Sequence, residues 1–379
     1  MMDRHSLPRL GGCPLGLVLA FILSPIGASA TETDNFFLPL EPQLADLGDF
    51  LEAMHTRAIE ESVRQVNNRI EGALNLKDPA PRACRLASYH RPDALAEALA
   101  SQFGDPPSEV PRIERPLRGA WGRQTFPNQL AIYRDASMNA RGHFPMDPRV
   151  LGTIANSGTV RAYGVHFGTD KLLHFHQLGY DYYRRYRALL REGSSPEDAC
   201  RKVIEHFSKG AFFAEKNFFG TIISGIYSNG DMAANYAGFK FFLNLTEKSV
   251  VKGQECEPLV IRCGVFWRVN DHVRPLSGWL RVFISDHWNE ALNPNLYDWT
   301  MRPRIYRILQ SRASHIVEFY TAKDGRPSDP TYFENLTHTL ATYYGDAYGH
   351  SGQFEKLMHI GNVCFPALTG SSDFPFHRP

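Results

Sequence analysis

The sequence lacks the short motifs that mark several large enzyme classes. It has no GxSxG elbow, no GxxxxGK[ST] phosphate loop and no GxGxxG turn. A serine esterase, a nucleotide hydrolase and a dinucleotide oxidoreductase therefore lack their usual sequence support. It also has no CxxC pair, the spacing typical of zinc ribbons and thioredoxin-type redox sites. No repeat recurs at a fixed period, which disfavours a solenoid.

A surplus of charge of one sign is missing as well. The 379 residues carry 41 Lys and Arg against 40 Asp and Glu, a formal net charge of +1. Because a protein that coats nucleic acid needs a basic surplus, we expect no nucleic-acid partner. Hydrophobic residues make up 43% and aromatic residues 12% of the chain. This composition favours a globular fold over a disordered chain.

Long apolar runs are absent after residue 31, so we expect no transmembrane segment once the first residues are removed. Residues 1–30 have the layout of a secretory signal peptide, with Arg4 and Arg9, an apolar stretch over 15–26 and the Ala28-Ser29-Ala30 cleavage pattern. An uncleaved anchor is the alternative. We expect an exported protein, periplasmic or extracellular. The predicted divisions are a signal peptide over 1–30, an N-terminal helical arm and irregular linker over 31–128, and a main helical domain over 129–379.

Removal of the signal peptide leaves five cysteines, an odd number. Export permits disulfides, and an odd count leaves at least one thiol unpaired. A local bridge between Cys256 and Cys263 and a second between Cys84 and Cys364 are the pairings that we expect. Cys200 lies in a helical pattern and is expected to be a free, buried thiol.

Hydrophobic periodicity predicts a mainly α protein, a helical bundle with a small β element. The small β element is predicted from strands at 259–269 and 279–284, and a further short strand is predicted at 130–133. Thr169 is the predicted N-cap of one helix. The predicted helices cover residues 42–75, 92–103, 170–191, 196–217, 231–247, 304–321 and 330–344.

The helix over 170–191 carries the most unusual polar pattern. At steps of four, three and four residues, Asp170, His174, Gln177 and Asp181 fall on one helix face. A carboxylate and an imidazole one turn apart can share a metal ion or a proton. His166 lies just before the helix, so His166, Asp170 and His174 are a candidate ligand set for a divalent metal. The alternative is a group of satisfied buried polar residues that joins neighbouring helices.

Residues 170–175, Asp-Lys-Leu-Leu-His-Phe, resemble the DKxxHF segment of VanZ-like proteins and of small related envelope proteins. The resemblance covers about six of the 379 residues. It implies an association with the cell envelope and no particular activity. VanZ-like proteins are embedded in membranes, whereas this segment continues with Asp181, Arg184, Arg185 and Arg187 and has the composition of a soluble helix.

A second candidate site centres on Glu215, which lies between phenylalanines in the sequence AFFAEKNFFG. A desolvated carboxyl favours its protonated form and suits a general acid. A glycine-rich turn follows, and Asp231 then supplies a second carboxylate. This order is loosely similar to the layout of lysozyme-like glycan hydrolases, in which two carboxylates flank a sugar bond. Alternatively, Glu215 pairs with Lys171 or Arg201, and Asp231 is a helix N-cap or first-turn acid.

Side chains that could bind a substrate lie near these acids. Trp288 and Asn289 belong to the mixed aromatic and amide segment 286–295, and both Asn235 and Gln177 lie on the polar helices. We therefore predict an exported hydrolase that needs no cofactor and acts on an envelope or extracellular glycan. Its candidate catalytic residues are Glu215, Asp231, His174 and Asp170. The alternatives are a metal-dependent hydrolase that uses His166, Asp170 and His174, and a non-enzymatic envelope structural or binding protein.

Overall fold

The computed structural model describes residues 32–33, 35–103, 156–210, 225–299 and 301–365 of the chain. It is 57% helical with 11% strand. The α-helices are α1 (Gly48–Leu74), α2 (Pro79–Tyr89), α3 (Pro92–Phe103), α4 (Asp170–Leu173), α5 (Gly179–Arg191), α6 (Pro196–Glu205), α7 (Asn229–Asn244), α8 (Arg302–Ser311), α9 (Ala313–Glu318), α10 (Pro330–Thr339) and α11 (Ile360–Cys364). Single π-helical turns cover His174–Leu178, His206–Gly210 and Phe319–Lys323, and 3-10 turns cover Trp279–Phe283, Asp286–Trp288 and Phe354–Lys356.

The strands pair two at a time in separate small sheets. They are β1 (Glu32–Thr33), β2 (Asn156–Ser157), β3 (Thr159–Ala162), β4 (Val165–Gly168), β5 (Ile226–Tyr227), β6 (Ser249–Val251), β7 (Gln254–Cys256), β8 (Val260–Cys263), β9 (Phe266–Val269) and β10 (Leu296–Tyr297). The pair β1–β2 is parallel, and the pairs β3–β4, β5–β10, β6–β7 and β8–β9 are antiparallel. The predicted helical bundle with a small β element is therefore wrong. The secondary structure is mixed, because β pairing recurs along the described chain instead of forming one element.

The single strand predicted over 259–269 is wrong, because this segment forms the two strands of the hairpin β8–β9. The alternation of apolar and polar residues is present, but Gly264 adopts a φ of +62° and turns the chain back on itself. This conformation is accessible to glycine without steric cost. The segment 279–284 was predicted to pair with that strand. It forms the 3-10 turn Trp279–Phe283 instead.

Helix α1 begins six residues later than the pattern over 42–75 predicts, at Gly48. The carboxylate of Asp46 accepts the backbone N–H of Gly48 at 2.8 Å and those of Tyr163 and Gly164 at 2.8 Å each. The start of α1 is thereby tied to the β3–β4 turn. Along α1, Leu51, Ile59, Val66 and other residues at helical spacing are buried.

Helix α5 packs against α7 with two glycines at the contact. A Cβ atom on Gly179 would lie 2.6 Å from the Cα of Gly238, and one on Gly238 would collide with the carbonyl oxygen of Phe175. Only glycine permits this approach. Glycine at position 238 therefore allows α5 and α7 to pack closely.

Two apolar cores hold the described chain together, and both contain residues from either side of the predicted boundary at 128. Leu51 and Ile59 of α1 share the larger core with Phe175 and Phe241. Phe36 and Leu38 join the second core. Residues of α8 to α11 complete it.

No helix in the described part is long and apolar enough to cross a membrane. The cysteines at 84, 200, 256, 263 and 364 are all free thiols. Neither of the two disulfides expected from the sequence is formed. Cys256 lies in the hairpin β6–β7, whereas Cys263 lies in the hairpin β8–β9. Cys200, predicted to be a free and buried thiol, is free and half-buried.

Candidate functional site

The segment 170–191 is helical from Asp170 to Arg191, as predicted, but its hydrogen bonding changes at the π turn His174–Leu178. Thr169 occupies the N-cap position, as predicted, but its hydroxyl makes no capping hydrogen bond. A π turn contains one residue more than an α turn, which rotates all later side chains by about 100°. The predicted single face therefore ends at His174. Asp181 pairs with Arg184 at 3.3 Å, away from Asp170.

Lys171 is the centre of a buried ionic cluster. Its ammonium lies 2.8 Å from Asp170 Oδ2, 2.5 Å from Asp231 Oδ1 and 2.6 Å from Glu290 Oε1. The side chains of all four residues are at most 1% exposed. Burial alone would lower the pKa of Lys171, but the three carboxylates outweigh it and raise this pKa well above its usual value. The ammonium is therefore held in its charged form.

The start of α7 places Asp231 in this cluster. Ser228 is the N-cap, and its hydroxyl oxygen accepts the backbone N–H of Asp231 at 3.0 Å while donating to Glu290 Oε1 at 2.8 Å. Asp231 is thus the first-turn acid of the alternative interpretation and also a contact of Lys171. A Cβ atom on Gly230 would lie 3.1 Å from both Glu290 Cγ and Lys171 Cε. Glycine at this position leaves room for the cluster.

Glu290 comes from a segment far along the chain. Asn35 Oδ1 accepts the backbone N–H of Glu290 at 2.9 Å, and the Asn35 amide donates to Thr159 Oγ1 at 3.3 Å. Burial raises the pKa of Glu290 to about 7, against the opposing effect of Lys171. Glu290 is the acidic residue of the cluster that the sequence analysis did not select. Its only signal is its place in the mixed segment 286–295.

His174 connects the cluster to α7. Its Nδ1 lies 2.9 Å from Asn235 Oδ1, and its Nε2 lies 3.3 Å from Asp231 Oδ2. Each of Asp170, His174 and Asp231 offers one ligand atom within 4.8 Å of the others, so the three residues could share one metal ion. The structure therefore brings together three of the predicted catalytic residues and one predicted substrate-binding residue, Asn235.

His166 does not belong to this group. It lies on β4, where its Nδ1 is 3.8 Å from Asp324 Oδ1 and its ring meets that of Phe319 edge to face. Burial lowers the pKa of His166 to about 4. In the ligand set His166, Asp170 and His174, the geometry thus replaces His166 with Asp231.

Two predicted substrate-binding residues are part of the protein interior. Trp288 is 1% exposed and packs edge to face on Phe167. The side-chain oxygen of Asn289 accepts the backbone N–H groups of Ala291 and Leu292 and the hydroxyl of Tyr320. Both positions are therefore occupied by contacts within the fold.

Two further predicted site residues are Gln177 and Glu215. Gln177 is half-buried and makes no hydrogen bond with its side chain in the described ranges. Glu215 lies outside the described residues. The acid–base pair of Glu215 with Asp231 accordingly stays a prediction.

A buried pair of histidines beside the cluster was also not foreseen. His55 Nδ1 lies 2.7 Å from the Leu51 carbonyl oxygen, an acceptor, so this nitrogen carries the proton. His176 Nε2 then donates to His55 Nε2 at 2.7 Å. Burial lowers the pKa of His55 to about 4 and that of His176 well below its usual value. Both imidazoles are neutral, and they join α1 to the π turn.

Comparison of the chain with protein-family models, curated proteins and solved structures finds no match. The resemblance to VanZ-like proteins and the lysozyme-like layout therefore stay predictions, and the geometry of the cluster carries the functional argument.

Proposed function

We propose that Asp170, His174 and Asp231 bind a divalent metal ion and that the protein is a metal-dependent hydrolase. The observation that carries this proposal is the arrangement around His174. It is the metal-dependent alternative from the sequence, with Asp231 in place of His166.

The hydrogen bonding of His174 favours a cation beside its Nε2. When Nδ1 donates to Asn235 Oδ1, a neutral imidazole directs the lone pair of Nε2 toward Asp231 Oδ2. Two lone pairs at 3.3 Å repel each other unless a proton or a metal ion lies between them. Ligands of a tetrahedral zinc ion, with bonds of about 2.0–2.1 Å, lie roughly 3.3–3.4 Å apart. A ligating histidine also commonly donates its other N–H to a fixed acceptor, the part that Asn235 plays here.

The charge of the cluster supports the same conclusion. With all three carboxyl groups ionised and His174 neutral, the cluster has a formal charge of −2. Because burial raises the pKa of Glu290 to about 7, this charge lies between −1 and −2 near neutral pH. An uncompensated buried charge is costly, and one divalent ion balances it. Lys171 binds Asp231 through Oδ1, which leaves Oδ2 directed toward His174. One nitrogen and two oxygen donors suit zinc, manganese or iron.

A metal ion in this position would supply a water molecule of lowered pKa as the nucleophile for hydrolysis. The predicted export signal and the DKxxHF resemblance favour an envelope or extracellular substrate, and a glycan is the class that we propose. His174 is the most exposed of the three ligands, with 7% of its side chain accessible against 1% for Asp231. We therefore expect substrate to approach from the His174 side.

One observation favours a second function. The cluster is closed to solvent to an extent that suits a non-enzymatic envelope protein, in which buried ion pairs only join α4, α7 and the segment around Glu290. The experiment below separates the two functions by their dependence on metal.

The test starts from the full chain purified without chelator. We expect about one metal ion per chain by elemental analysis, its loss in the His174→Gln variant and its retention in the His272→Gln variant, a matched change at an exposed histidine. Hydrolysis of chromogenic esters, phosphoesters and glycosides should disappear with EDTA and return when metal is restored. A metal-free wild-type protein whose unfolding is unchanged by EDTA and by added zinc or manganese would overturn the metal-dependent hydrolase, and the lack of any hydrolysis by the same protein would favour the non-enzymatic function. Bound metal without hydrolysis of any class would contradict the hydrolase and leave a structural metal.

A further inference from the structure

A cleft of about 530 Å³ lies along α5, beyond the π turn that follows the ionic cluster. This volume is within the range of about 300–1,000 Å³ that is typical of small-molecule sites. Its walls come from α5, from Arg91 and Asp93 at the start of α3, and from Phe207. Since α5 rises 1.5 Å per residue, Arg184 lies about 15 Å along the helix from His174. The cleft and the cluster are therefore distinct sites.

Arginine dominates the charge of the cleft. Five arginines line it against two aspartates, in a chain whose formal net charge is only +1. The arginines are Arg91, Arg184, Arg185, Arg187 and Arg191. The net charge of the lining is thus +3. Such a concentration of guanidinium groups attracts an anion.

Some of these arginines are already paired and others are available. Asp93 accepts ion pairs from Arg187 at 3.3 Å and from Arg191 at 2.8 Å. The guanidinium groups of Arg91 and Arg185 make no ion pair within the part of the chain that the structure describes. These two arginines therefore remain free to bind an anionic group that enters the cleft.

The aromatic side chains of the cleft hold other guanidinium groups in place. Arg184 lies over the ring of Tyr180 at 5.8 Å, and Arg187 lies over the ring of Tyr183 at 6.0 Å. The two tyrosine rings are nearly parallel, with an interplanar angle of 17°. These cation–π contacts hold the two guanidinium groups beside the tyrosine rings. Tyr183 is buried, whereas the half-buried ring of Tyr180 offers an apolar surface to a non-polar part of a ligand.

We propose that this cleft binds a ligand that carries a phosphate ester, with Arg91 and Arg185 on the phosphate oxygens and the half-buried ring of Tyr180 against the attached group. A phosphomonoester bears a charge near −2 and three acceptor oxygens, which matches two unpaired guanidinium forks better than a single carboxylate does. A soluble sugar phosphate and the headgroup of a phosphatidic acid share this chemistry.

The test measures binding of the full chain to each source of phosphate. The soluble probes are glucose 6-phosphate, with glucose and inorganic phosphate for comparison, in calorimetric titrations. The lipid probe is a phosphatidylcholine vesicle with or without phosphatidic acid, in a flotation assay. We expect the double variant Arg91→Gln/Arg185→Gln to weaken binding by about tenfold or more, since two charge-assisted contacts are lost. Circular dichroism and the melting temperature establish that the variant is folded.

The matched control is Arg307→Gln, an exposed arginine on α8, which should bind as the wild type does. Binding of glucose 6-phosphate but not of vesicles assigns a soluble ligand, and the reverse assigns a lipid phosphate. The proposal is overturned if neither phosphate source binds. Equal weakening in the double variant and in Arg307→Gln would overturn it too, because only unspecific charge attraction would remain.

Discussion

The two ends of the helical segment 170–191 carry basic side chains in opposite surroundings. At the first end the Lys171 side chain is 0% exposed and has three carboxylates within 2.8 Å. At the other end the side chains of Arg184 and Arg191 are 65% and 59% exposed and each pairs with a single aspartate. The comparison teaches that a basic side chain joins distant segments when it is buried among carboxylates, and forms only weak, solvent-screened ion pairs when it is exposed.

Buried and exposed ion pairs differ in their contribution to stability because they differ in their access to water. Water screens an exposed pair such as Arg191–Asp93, so its net contribution to stability is small. Around Lys171 water is excluded, and each carboxylate depends on the ammonium for compensation. Removal of one buried partner leaves the others unpaired in a medium of low polarity, at a cost of several kcal/mol.

The largest effect is expected from Lys171→Met. This variant leaves three carboxylates without their ammonium and should lower the free energy of unfolding by about 3–5 kcal/mol. Chemical denaturation followed by circular dichroism measures the change. Lys202→Met is the matched control, because Lys202 pairs with Asp198 at 2.7 Å on the surface and is 45% exposed, and its loss should cost less than about 1 kcal/mol.

A second variant tests whether unpaired negative charge causes the loss of stability expected in Lys171→Met. Lys171→Met/Glu290→Gln removes one of the stranded carboxylates, so it should be more stable than Lys171→Met alone. If the single variant loses no more than Lys202→Met does, the contrast between the two ends of the segment fails.

An intermediate effect is expected at the helix contact that brings α7 and Asp231 to the cluster. In Gly238→Ala the new methyl group collides with the carbonyl oxygen of Phe175, which should cost about 1–3 kcal/mol of unfolding free energy. Gly72→Ala is the matched control on α1, where the added Cβ meets no atom within 4 Å and should stabilise the protein by about 0.4–1 kcal/mol. Equal effects at the two glycines in the same denaturation experiment would show that α7 can shift without cost.

The sequence predicts those members of the ionic cluster that lie close together in the chain. Asp170 and His174 are one helical turn apart, so the periodicity alone places them together. Asp231 is recognisable as an acid at a helix start. Glu290 is not predictable in the same way, because it is 119 residues from Lys171 and only the packing of the folded chain joins them. Lys171 itself, next to Asp170 in sequence, carries no local signal that its side chain is buried.

The fold is likewise predictable where it depends on local sequence and not where it depends on distant contacts. Helices such as α5, α6 and α7 follow from local spacing and from caps such as Ser195, whose hydroxyl accepts the Asp198 N–H. The small sheets depend on strand pairings and turns that the hydrophobic periodicity does not predict. Val260 pairs with Val269 only because Gly264 reverses the chain between them. The π turn at His174 likewise has no periodic signal, and it moves Asp181 away from the face predicted for it.

The smallest effect on stability is expected from Arg191→Gln at the exposed end of the segment. Arg191 pairs with Asp93 at 2.8 Å, but Arg187 also contacts Asp93, so the aspartate keeps a partner. The free energy of unfolding should change by no more than about 0.5 kcal/mol, and added salt should reduce the difference further because the pair is screened. Urea denaturation of the variant and the wild type at low and high ionic strength measures both quantities. A salt-independent loss as large as that of Lys171→Met would mean that exposure does not govern the strength of these pairs, and that the two ends of the segment are structurally equivalent.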